Sequence, residues 1–223
     1  MRRIPNDVWS TIISVGYLGL MTNLMLLLAC LPVVLLLVTT DPALSWPLIA
    51  AVAPVCAPAL PGAFAAFRAY GRGDGTVVRA FVAGWRATWR RSMLLGVALS
   101  ALIVVLLVDV RMLSPLQAGV VIIPVLGVLA ALALATGLVA LVAISEAPSA
   151  RLRDVVKASL YLGARRWYLT AVSMVVLGTQ LMLFASMPAL AIGLTAAPAL
   201  YLAWANSRFT LRPVLDTDEA TAS

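Results

Sequence analysis

A chain that does chemistry needs side chains that move protons, attack carbonyls or hold metals, and this one has few. It contains no histidine, and Cys30 and Cys56 are its only cysteines. The commonest metal ligand, which is also the side chain that titrates unperturbed near neutral pH, is therefore missing. Both cysteines lie inside apolar runs, where a free thiol packs as a small hydrophobe, and two thiols fall short of a zinc site. Nine carboxylates are spread along the chain. The two that border long apolar runs, Asp109 and Glu146, are expected on opposite sides of a membrane and cannot work as an acid–base pair. On this inventory the chain is expected to be no enzyme, with no catalytic residue, metal or cofactor.

The stretch that most resembles a site is RAYGRGDGTVVRAFVAGWRATWRR, residues 68–91. Gly71, Gly73 and Gly75 do not make a phosphate loop, because the lysine and hydroxyl of G-x-x-x-x-G-K-[ST] and a preceding strand are lacking. They read as a flexible exit from an apolar span, after which Asp74 or Thr76 caps a helix. At about 100° per residue, Arg79, Arg86 and Arg90 share a narrow arc of that helix, and Val77, Val78, Phe81, Trp85 and Trp89 lie opposite. Two uses fit it. It can lie on the inner membrane surface, aromatics at headgroup depth and arginines on anionic headgroups, or it can dock a partner.

A second basic stretch follows the same design. Ser149 is placed to cap a helix with Leu152, Val155, Val156 and Leu160 on one face and Arg153, Asp154, Lys157, Tyr161 and Arg165 on the other. VVRA at 77–80 and VVKA at 155–158 hold equivalent places ahead of a new span. A parallel repeat of about 78 residues, a device of several transporter folds, would produce that match.

The elements that must carry these helices follow from composition. The chain is 63% hydrophobic and 11% charged, with a mean hydropathy of +1.03, whereas soluble domains carry roughly 25% charged residues. Runs long enough to cross a bilayer are expected at 16–39, 46–70, 92–108, 117–145, 167–186 and 188–206. The last two are joined so tightly, at Ser186-Met187-Pro188, that they must form an antiparallel hairpin. Fifteen of the sixteen basic residues fall in the N-terminal segment, the loops after the second and fourth spans, and the tail; only Arg111 falls on the other side. The positive-inside rule then places both termini in the cytoplasm. The net charge of +7 is a mark of topology on this reading, and nucleic acid is not an expected partner. A single membrane domain is expected over 1–207, with a short, mostly disordered cytoplasmic tail over 208–223. MRRIPNDVWS is expected to precede a span and not to form a cleavable signal.

Pro54, Pro58 and Pro61 recur at helical spacing in the second span, so that helix is expected to be kinked or broken. Such a break is either structural or, as in some transporters, part of a solute site. No charged residue lies at membrane depth, which argues against proton coupling. The polar residues left there, Asn23, Thr136, Thr179 and Gln180, are explained by hydrogen bonds between helices.

NLMLLLACLPVV (23–34) and PALPGAFAAFRAYGRGDGTVVRAFVAGWRATWRRSMLLG (58–96) together resemble the YesL-type family of bacterial membrane proteins. Shared features are an Asn-led span ending in CLPVV, a Pro/Ala/Gly segment leading into an aromatic helix and basic loop, and aromatics set between basic residues. The likeness covers the first half well and the second half in layout. One departure is the 26 residues between Val34 and Pro61, longer than is usual in the family, which places 41–46 in an extra outer loop. The resemblance implies an accessory role beside a carbohydrate uptake system of the ABC type; it defines no site residues.

The expectation is thus an all-α, polytopic membrane helical bundle of six transmembrane helices, N-in/C-in, in the plasma membrane, with amphipathic cytoplasmic helices in the two basic loops. Its partners are anionic headgroups of the bilayer and ABC transporter subunits. The candidate interface is Arg79, Phe81, Trp85, Arg86, Trp89, Arg90, Arg153, Lys157 and Arg165. A self-contained facilitator for a small neutral solute, lined by the kinked second span, is the alternative.

Overall fold

The computed structural model describes residues 6–74, 76–147 and 150–222, and every element among them is helical. Arg2, Arg3, Gly75 and Ser149 lie outside the described residues. Five segments are long and apolar enough to cross a membrane: Leu44–Gly71, Val77–Leu113, Gly119–Glu146, Tyr168–Ser186 and Pro188–Leu211. A sixth crossing exists only if α1 (Asn6–Ala29) and α2 (Leu31–Thr39) count as one.

Those two helices meet at Cys30 with a bend of 73°, so the expected straight first span is broken. The cause is local. Pro32, in the first turn of α2, has no N–H for the carbonyl four residues back, and its ring clashes with it. After α2 the chain reverses into α3 (Pro42–Val52), and the Thr40 and Ser45 hydroxyls bond each other across the turn at 2.7 Å.

The proline-rich span is broken as its sequence requires. α3 passes through a 3-10 turn at Ala53–Cys56 before α4 (Ala59–Gly71) begins. Pro54 cannot donate to the carbonyl of Ala50, and Ser100 Oγ donates to it instead at 2.6 Å. The Pro54 carbonyl is served at 3.0 Å by the Ala57 N–H. Pro58 and Pro61 are fully buried.

α4 is the most enclosed element, packed by α1, α5, α6 and α10. Ala59, Ala63, Phe64 and Ala66 expose nothing, and the Tyr70 and Ser14 hydroxyls, 2.9 Å apart, tie its end to α1. Small side chains let its neighbours approach closely. A Cβ on Gly84 would stand 2.5 Å from that of Ala65, and one on Gly96 would stand 2.7 Å from that of Ala57.

α5 (Val77–Leu113) is one helix of 37 residues, about 55 Å long at 1.5 Å per residue. This corrects the expectation of a separate surface helix followed by a span at 92–108. The amphipathic half and the apolar half share one helical period, with no proline between them. Val77, Phe81, Thr88 and Ser92 form its buried stripe and face inward, and α5 packs on α4.

α6 (Gly119–Glu146) is buried almost continuously from Leu138 to Ser145, while Val120, Val121, Val125 and Val128 near its start are exposed. α7 (Leu152–Arg165) is short and leads through Arg166 into α8 (Trp167–Ser186). The turn at Met187 returns the chain as α9 (Pro188–Leu190), a π-helical segment (Ala191–Thr195) and α10 (Ala196–Ala222), and α10 packs on α8. The buried core concentrates at the arginine-bearing end, and the far end shows its leucines and valines outward. Water would not tolerate so large an apolar surface.

α10 is helical as far as Ala222. Thr210 and Leu211 are buried. Pro213 leaves the Phe209 carbonyl without its helical donor, and Arg166 Nη1 supplies one at 2.7 Å, its guanidinium lying 5.2 Å from the centre of the Phe209 ring.

Candidate functional site: the basic end of the bundle

The arginines of the basic end fall into two groups. The first group is committed to the fold. Glu146 closes α6 with its side chain only 8% exposed, and Arg68 of α4 lies 3.2 Å from Oε1 while Arg208 of α10 lies 3.7 Å from Oε2. Arg68 Nη1 also donates to the Ser145 carbonyl at 2.7 Å, and Trp204 Nε1 donates to Glu146 Oε1 at 3.3 Å. The last carbonyls of a helix carry partial negative charge, and Glu146 adds a full one there. Two cations answer both. Arg208 also stacks over the Trp204 ring at 5.5 Å, and Phe67, Tyr201 and Trp204 form an aromatic trio with centroids 5.4–6.0 Å apart. Arg91 Nη1 bonds the Ala150 carbonyl at 2.6 Å.

The second group is free. Arg79, Arg86 and Arg90 are exposed along one stripe of α5, and among the described residues none has an ion pair or hydrogen bond. The same holds for Arg153, Lys157 and Arg165 on α7. The spacing of these residues predicted both cationic faces.

The aromatic members of the candidate interface lie elsewhere. Phe81 is 4% exposed and packs on Gly62 of α4. Trp85 is half-buried, in edge contact with half-buried Trp89 at 4.9 Å. These side chains hold α5 against the bundle and do not stand as an exposed aromatic row. Thr76 precedes α5 without a side-chain cap. On α7, Val155, Ser159 and Leu162 face inward, whereas Leu160, expected on the apolar face, is 55% exposed beside Tyr161.

Two hollows flank Ala83 on α5. One, of about 500 Å³, is lined by Thr76, Val78, Arg79, Val82, Ala83 and Arg86. The other, of about 280 Å³, lies between α4 and α5, with Arg68 and Arg72 at its rim and alanines on its floor. Pro61 touches the second hollow, while Pro54 and Pro58 lie buried in the helix break.

The interior polar residues do more than bridge helices. Asn23 and Gln180 clamp the π segment: Gln180 Nε2 donates to the Ala191 carbonyl at 2.9 Å, and Thr195 Oγ1 donates to Gln180 Oε1 at 2.8 Å. Thr179 bonds only its own helix, at Val175. Cys30 and Cys56, both free thiols, lie near each other at the hinge. No local motif links Arg68, Glu146 and Arg208, which stand far apart in the chain.

Fold and site together describe an all-helical chain, with five or six helices able to cross a bilayer and a single arginine-rich end. No family model, no curated protein and no solved structure matches the chain.

Proposed function

We propose that this chain is a non-enzymatic, multi-pass protein of the plasma membrane, threaded with both termini inside, that serves as an accessory component of a carbohydrate ABC uptake system. The outer face of α7 carries the reading. It presents exposed Leu160 and Tyr161 among Arg153, Lys157 and Arg165, cations with no partner among the described residues, an apolar anchor with a charged rim that suits a protein partner. The charge asymmetry of the loops supports the threading, and the YesL-type resemblance supports the kind of partner.

Close contact of Gly84 and Gly96 with Ala65 and Ala57 favours this reading over a self-contained facilitator, because helix packing fills the kinked stretch. The test is capture of tagged protein from its host's membranes in mild detergent. Enrichment of an ABC permease or ATPase, lost when Arg153, Lys157 and Arg165 are changed to Glu, is the expected result. Capture of no transporter subunit, or capture unchanged by the substitutions, overturns it.

A further inference from the structure

We infer that the two hollows flanking Ala83 form one binding site for an anionic phospholipid with two phosphates, of the diphosphatidylglycerol type. The site goes beyond the accessory role and does not depend on the identity of any protein partner.

The argument starts from the arrangement of charge. Arg79, Ala83 and Arg86 follow one another at i, i+4 and i+7, so the two arginines bracket a methyl group on one face of α5. Both lack a partner among the described residues. Across the Ala83 ridge stand Arg68 of α4, which Glu146 already holds, and Arg72 just past the end of that helix. Arg72 is 64% exposed and holds only a long 3.7 Å pair with exposed Asp74. The first hollow thus offers two guanidinium groups without a partner among the described residues and the second offers the exposed guanidinium of Arg72, and guanidinium binds phosphate through a planar fork of donors.

The remainder of each hollow is mostly apolar, with Thr76 in the first and Thr88 and Ser145 in the second. Val78 and Val82 line the first, and Ala65, Ala69, Ala80 and Ala87 floor the second. Bare methyl groups do not solvate a soluble anion, but they suit the glycerol and first methylenes of a lipid. Farther along α5, Leu94 and Val97 are exposed, so acyl chains leaving the hollows continue onto a lipid-facing surface. Basic pockets between spanning helices are where acidic headgroups bind. Two adjacent hollows, each with an exposed guanidinium at its edge, call for two phosphates joined in one molecule.

The experiment titrates delipidated, detergent-solubilised full-length protein with diphosphatidylglycerol, phosphatidylglycerol, phosphatidylcholine or inorganic phosphate, and reads occupancy by native mass spectrometry. Diphosphatidylglycerol is expected to bind at least about tenfold more tightly than phosphatidylglycerol, with the other two negligible. R72Q and the double variant R79Q/R86Q should each lose about tenfold, while R111Q, at the other end of the bundle, binds as the parent does. Ala83→Trp, which fills the ridge between the hollows, should abolish the preference. Circular dichroism and elution volume check that each variant folds, and Arg→Lys at 79 and 86 should restore part of the loss. Equal affinity for the two acidic lipids overturns the two-phosphate assignment. Inorganic phosphate binding as tightly as lipid, or variants binding as the parent does, overturns the site.

Discussion

Asn23 and Gly193 lie 170 positions apart, yet Asn23 Nδ2 donates to the Gly193 carbonyl at 2.9 Å, and Asn23 Oδ1 accepts the Ala197 N–H at 2.7 Å. In an uninterrupted α-helix those two backbone groups would bond each other. The carboxamide is therefore spliced into the ladder of the last span beside the π-helical segment Ala191–Thr195. A single side chain couples the first helix to the last.

Replacing Asn23 with Leu should leave both backbone groups unserved or force the π segment to rewind. A loss of about 1–2 kcal/mol is expected, measured as a lowered thermal midpoint in detergent. An unshifted midpoint would mean that the ladder closes at no cost, contrary to the clamp.

The Glu146 cluster should behave as two unequal halves. Arg68 is 23% exposed at its side chain and Arg208 is 48% exposed. Breaking the more buried pair strands a desolvated charge, so Arg68→Met should cost about 2–4 kcal/mol. Arg208→Gln should cost less than about 1 kcal/mol and fade with added salt. A double-mutant cycle with Glu146→Gln measures both couplings; equal values for the two arginines would contradict the burial difference.

Contact between α4 and α5 depends on the missing side chain of Gly84. Gly84→Val pushes a branched group into Ala65 and the Pro61 carbonyl, 2.5 Å and 3.2 Å from the first added carbon. A destabilisation of about 1–3 kcal/mol is expected. Gly178→Ala, where an added Cβ meets nothing within 4 Å, should be neutral or slightly stabilising. Similar thermal shifts for the two variants would count against the packing described.

Cys30 and Cys56 provide a ruler for the hinge. A short bifunctional thiol reagent applied to membranes should join the two in one chain, and digestion followed by mass spectrometry should recover the paired peptide. Only singly modified peptides would show that α1 and α2 do not fold back onto the 3-10 turn.

Much of this architecture is legible in the residues. The apolar runs mark most of the spans, the prolines at 54, 58 and 61 mark the break, and Ser186-Met187-Pro188 marks the last turn. The unity of α5 is not, because Arg90-Arg91-Ser92 is a change of composition and not of conformation. Pro32 was visible in the sequence, yet the apolar run through it concealed the bend. The Arg68–Glu146–Arg208 cluster arises from helices meeting in space, and nothing at any one position announces it. The cationic stripes were the most readable part of the site, since they rest on helical period alone.

The continuity of α5 has a mechanical consequence. Between Val77 and Leu113 it has neither a proline nor a π turn, so it has no joint. Its basic end is clasped by α4 through Gly84, and its middle by the 3-10 turn through Gly96. A load applied at Arg79 cannot be absorbed by local bending and must reappear as tilt at Asp109 and Arg111.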